Sequence, residues 1–64
     1  MQNSGIVEPA KKFVTYAEGA KLYSMSVGSF TKLAKEAKAI YKIRRIVLVN
    51  TKLFEDYLEA FHEE

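Results

Sequence analysis

The side chains with the most chemical potential in this sequence are cations and small hydroxyls. Lys42, Arg44 and Arg45 fall within four positions, between two runs of β-branched and aromatic residues. Upstream, Gly28, Ser29, Thr31, Lys32 and Lys35 lie off the apolar stripe of a second helix. Lysine and arginine neutralise phosphate, and Ser and Thr hydroxyls donate to phosphate oxygens or base edges. Both sets therefore suit a polyanion. Their ordinary uses are a solvated helix face and charge that keeps a strand edge from aggregating. Nothing supports catalysis. There is no phosphate-binding glycine motif, no nucleophile beside a base, and no set of residues at metal-ligand spacing. Glu59 and His62 share a helix face, but two ligands do not close a metal site. With no cysteine, a disulfide framework and a thiolate zinc site are excluded. The expectation is a binding protein that is not an enzyme and uses no cofactor and no metal.

The charge distribution agrees with that chemistry. From Met1 to Asn50 nine basic residues face three acidic ones, leaving +6; from Thr51 onward one lysine faces five acids, leaving −4. A basic body with an acidic tail suggests one surface for a polyanion and another turned away from it. At 64 residues the chain makes one domain, of a size that buries only about 60% of its unfolded surface. No apolar run approaches a membrane span and the N-terminus lacks a signal-peptide core. The expected location is cytoplasmic, with no membrane partner.

The elements that must position the cations follow from caps and periodicity. Residues 1–12 have Gly5, Pro9 and no period, and read as a flexible arm before a domain at 13–62. Thr15-Tyr16-Ala17-Glu18 fits a capping box and opens a helix to about Tyr23. Gly19 costs that helix roughly 1 kcal/mol relative to Ala, a cost explained if a neighbour packs very close. Ser26 caps a second helix from Val27 to about Ala37, with Val27, Phe30, Leu33, Ala34 and Ala37 as its apolar stripe. Residues 39–43 and 46–49 read as a β-hairpin with Arg44-Arg45 between them. Arg-Arg is a poor pair for a tight turn, so a longer or irregular turn is the alternative. Both hairpin faces are apolar, and alternation does not say which is buried. Asn50 caps a last helix from Thr51 to about Phe61, with Phe54, Tyr57, Leu58 and Phe61 on one buried face. The aromatics Tyr16, Tyr23, Phe30, Tyr41, Phe54, Tyr57 and Phe61 are read mostly as core.

The order helix, turn, helix, basic hairpin, short helix resembles the small excisionases of conjugative transposons and phages and related MerR-like domains. The residues that carry the resemblance are Tyr16-Ala17-Glu18-Gly19-Ala20-Lys21-Leu22-Tyr23-Ser24-Met25-Ser26, Phe30-Thr31-Lys32-Leu33-Ala34-Lys35-Glu36-Ala37, Lys42-Ile43-Arg44-Arg45-Ile46-Val47-Leu48-Val49-Asn50 and Phe54-Glu55-Asp56-Tyr57-Leu58. It implies an α+β fold, a small winged helix-turn-helix with a two-stranded β-hairpin wing and a C-terminal helix. It also implies double-stranded DNA as partner, with the second helix in the major groove and the wing in the minor groove. By position, the DNA-binding candidates are Ser26, Ser29, Thr31, Lys32, Lys35, Lys42, Arg44 and Arg45. The implied function is sequence-specific, architectural DNA binding: copies on neighbouring sites associate cooperatively and bend mobile-element DNA, so that a tyrosine recombinase (integrase) carries out excision. Relatives often have Gly where this chain has Arg44. The alternatives are a MerR-like transcriptional regulator without a recombination role, and a protein-interaction module that docks a partner on the hairpin's second apolar face.

Overall fold

The computed structural model describes residues 12–63; the expected arm, except Lys12, lies outside them. The elements run β1 (Phe13–Val14), α1 (Tyr16–Leu22), α2 (Val27–Glu36), β2 (Ile40–Ile43), β3 (Ile46–Asn50) and α3 (Thr51–Leu58), followed by a 3₁₀ turn at Glu59–Phe61. The fold is the α+β winged helix-turn-helix: α1 and α2 form the helical pair, β2 and β3 the wing. The hairpin is joined by a third strand that periodicity could not reveal. β1 pairs antiparallel with β3, giving the order β1-β3-β2, with Phe13 opposite Asn50 and Val14 opposite Val49. Two residues are too short to show alternation. The strand is secured from α3, where the Thr51 amide and hydroxyl donate to the Lys12 carbonyl at 2.8 and 2.9 Å. Lys12 is thus tied into the domain.

Local chemistry sets each helix boundary. Thr15 and Glu18 form the full capping box: the Glu18 amide donates to Thr15 Oγ1 at 3.1 Å and the Thr15 amide to Glu18 Oε1 at 2.9 Å. Ser26 Oγ accepts from the Ser29 amide at 3.1 Å, and Asn50 Oδ1 from the Leu53 amide at 3.0 Å. The C-termini of α1 and α2 repeat one device. Ser24 and Lys38 adopt positive φ of 57° and 56°. In each case the next residue reaches back five positions, Met25 to the Ala20 carbonyl and Ala39 to the Ala34 carbonyl, at 2.9 and 3.0 Å. These are Schellman motifs built without glycine. Ala20, Ala34 and Ala39 are buried beneath them.

The core centres on Phe30 and Phe54, both with no exposed surface, their rings 4.7 Å apart. Tyr23 stacks on Phe30 at 5.9 Å, leans on Phe54 at 4.8 Å, and donates its hydroxyl to Glu55 at 2.5 Å. Gly19 explains itself here: a Cβ at that position would lie 2.1 Å from Phe30 Cζ, far closer than van der Waals contact allows. Val14, Val49 and Ile40 close the core from the sheet. Two stripe assignments are corrected. Val27 is half exposed, because it stands in the first turn of α2 beyond the reach of the core. Phe61 is exposed because α3 ends at Leu58 and the 3₁₀ turn changes the angular spacing. Tyr41, also read as core, is 41% exposed on the outer sheet face.

Two stability outcomes follow. Gly19→Ala should destabilise by about 1–3 kcal/mol through overpacking against Phe30, outweighing the roughly 1 kcal/mol of helix propensity gained. Urea unfolding reads the sign, and a more stable variant would refute this packing. Lys38→Gly should stabilise by about 0.5–1 kcal/mol, because relief of the left-handed backbone exceeds glycine's entropy cost. A loss of stability in the same assay would count against the assigned cap.

Candidate nucleic-acid interface

Helix α2 sorts its residues by angle. At about 3.6 residues per turn, Phe30 and Ala34 point inward, so Gly28, Lys32 and Lys35 occupy the opposite arc. All three are exposed. A Cβ on Gly28 would meet nothing within 4 Å, so the backbone there is open to close approach. Ser29 is exposed on the flank, and Thr31 is half-buried at the arc's edge. Ser26 is engaged twice: beyond capping, its hydroxyl donates to Ser29 Oγ at 3.0 Å. Ser26 therefore orders the helix start, and of the pair Ser29 faces outward more freely. Val27 was not among the candidates from sequence. Its exposure beside Gly28 offers an apolar contact of the sort a thymine methyl takes. The signal was its first-turn position, where a stripe residue has no partner helix opposite.

The wing closes through two residues, with Ile43 directly opposite Ile46. The turn is therefore tight despite its sequence. Arg44 takes φ 58°, as the first central residue of mirror-image hairpin turns does. Arg44 and Arg45 consequently stand together at the tip, both exposed. Lys42, opposite Val47, is also exposed. It lies one pair from the tip and its side chain shares the inward face of the sheet, beyond the reach of the core.

The charges are segregated by their partners. Among the described residues, Lys52 alone of the lysines and arginines forms an ion pair, with Asp56 at 3.6 Å within α3; Lys32, Lys35, Lys42, Arg44 and Arg45 form none, and neither do Lys12, Lys21 and Lys38. Four of the six described carboxylates are engaged elsewhere, Asp56 with Lys52 among them. Glu18 closes a cap, Glu55 receives the Tyr23 hydroxyl and Glu36 receives the Tyr57 hydroxyl at 3.0 Å. Burial, then the hydrogen bond and negative charge of Glu55, hold the Tyr23 phenol far above its usual range. The hydrogen bond to Glu36 likewise raises Tyr57. Both phenols stay protonated donors, so these links between helices persist across the neutral range. No hydrogen bond or ion pair joins the helix set to the wing set among the described residues. The arrangement has two separate basic projections on one scaffold.

The described residues contain no group of three or more metal-ligating side chains, and no helix among them is long and apolar enough to cross a membrane. No curated protein and no solved structure matches the chain. One family model does match, over residues 11–61, which takes in every strand and helix and both basic projections. On that coverage the chain belongs to DUF6462, a family of unknown function.

Proposed function

We propose that this domain binds double-stranded DNA, with α2 in the major groove and the β2–β3 wing in the minor groove. The carrying observation is the charge segregation. Five cations on two projections have no carboxylate partner among the described residues, while Glu18, Glu36, Glu55 and Asp56 are engaged on the scaffold. Unpaired cations on a small domain are held apart at some electrostatic cost, which a polyanion removes. Helix α2 suits a major groove, since Gly28 allows close approach and Ser29, Lys32 and Lys35 flank it. The wing suits a minor groove, where arginine responds to narrow, A·T-rich shape.

Within that reading the resemblance to excisionases supports a particular role. The domain works in the cytoplasm as an architectural protein without enzymatic activity. It bends mobile-element DNA in several cooperating copies, so that a tyrosine recombinase excises the element. A MerR-like regulator would use the same DNA surface. Excision assays with a tyrosine recombinase and its element ends, with and without the domain, separate the two roles.

The binding test is a titration of duplex DNA at several salt concentrations. Log affinity should fall steeply with log salt, by about 0.9 per phosphate neutralised. The Arg44→Gly, Arg45→Ala double variant keeps the positive φ of the turn while removing both tip charges. It should weaken binding to most sequences and reduce the salt slope by about 1.8. Changing Ser29 or Lys32 to Ala should instead cost about 1–3 kcal/mol at particular base pairs where the residue reads a base. Affinity that is flat with salt, or a double variant that binds like the parent, would refute the proposal.

A further inference from the structure

Apart from Asn50, whose side chain caps α3, the outer face of the sheet is lined by apolar and aromatic side chains. Strand side chains alternate between faces. Val14, Ile40 and Val49 face the core, so the register puts Phe13, Tyr41, Ile43, Ile46 and Leu48 together on the other side. Ile43 and Ile46 oppose each other at 55% and 57% exposure, and Phe13 packs edge-on against the exposed Tyr41 at 5.2 Å. Contiguous apolar surface of this sort marks an interaction site more often than a stray hydrophobe does. Cations bound the strip at both ends. Lys12 Nζ lies 5.9 Å from the Phe13 ring centroid, and Arg44 and Arg45 form the tip.

The same chain carries a surface of opposite charge. After α3, Phe61 is 57% exposed, held edge-on to Tyr57 at 5.3 Å. Exposed Glu59 and Glu63 flank it, and their carboxylates engage no other described residue. Each surface thus pairs an exposed apolar centre with unpaired charge, and the signs are complementary.

We propose that these surfaces bind each other between copies. The outer sheet face of one copy receives Phe61 of a second, with Glu59 and Glu63 set against Lys12 and the tip arginines. Two sheet faces docked symmetrically would bring cations onto cations, and two tails would bring acids onto acids. The asymmetric contact relieves both and leaves a free surface at each end, so it repeats head to tail. Association between copies belongs to the reading above, and this contact shares Arg44 and Arg45 with the proposed DNA surface; it is measured without DNA, so its failure is distinguishable from a failure of DNA binding.

Sedimentation of the full chain without DNA tests it, from micromolar to millimolar protein, at low and high salt. The weight-average mass should rise with concentration at low salt and rise less at high salt. Two variants dissect the contact, each checked by circular dichroism. In the first, Ile43→Thr with Ile46→Thr removes the sheet face while keeping β-branching. In the second, Phe61→Ala with Glu59→Gln and Glu63→Gln removes the tail. If the sheet variant fails to fold, Ile46→Thr alone takes its place. Each variant alone should stay monomeric. Mixed equally, they should form dimers and nothing larger, because one keeps a tail and the other a sheet face. A wild-type chain that is monomeric throughout, a variant that self-associates like wild type, or a mixture that stays monomeric would overturn the proposal.

Discussion

The structure depends on one contact: the Phe30 ring lies where the side chain of any residue other than Gly19 would be. That contact fixes how closely α1 and α2 approach, and with it the direction in which α2 presents Gly28, Lys32 and Lys35. Tyr23 and Phe54 hold the ring from its remaining sides, so it cannot swing away. In a domain this small, total stability amounts to a few kcal/mol, and one aromatic cluster supplies a large part of it. The geometry of the basic arc on α2 is therefore inherited from the core and not set by the surface residues themselves.

The second organising feature is how the acids are used. Two of them accept hydrogen bonds from tyrosines across helix pairs, Tyr23 to Glu55 and Tyr57 to Glu36. A tyrosine can anchor a helix in this way without neutralising a lysine on the working surface. Had Glu36 paired with Lys32, its neighbour one turn back on α2, the basic arc would have been interrupted. Instead a neutral donor fixes Glu36 and Lys32 has no partner among the described residues. A net charge of only +2 is thereby compatible with strongly basic projections.

The helices were legible because their starts carry side-chain signatures. Thr15, Ser26 and Asn50 all cap as their types suggest, and Gly19 advertised the close approach. The C-termini were harder, since Ser24 and Lys38 take the left-handed conformation that glycine normally signals. Each is held there by its own amide's bond to the carbonyl three positions back and by the next residue's bond to the carbonyl five positions back, which no residue type announces. The short strand Phe13–Val14 exists through its pairing with β3 and the Thr51 bonds to Lys12, contacts distant in sequence. Which hairpin face is buried was undecidable from two apolar faces, and it is settled by the helices, whose Phe30 and Phe54 pack with Val14, Ile40 and Val49 on the inner one. For the candidate site, the cations were readable from position alone. The capping duty that occupies Ser26, the half-burial of Thr31 and the exposure of Val27 required the packing.

The central claim is that α2 and the wing together form a DNA surface while α3 stands outside it. Amide chemical shifts of the domain, followed as duplex DNA is added at low salt, test this residue by residue. The account predicts that shifts concentrate at 26–35 and 42–45, with 55–61 nearly unmoved. Shifts confined to α3, or no shifts at all, would contradict it.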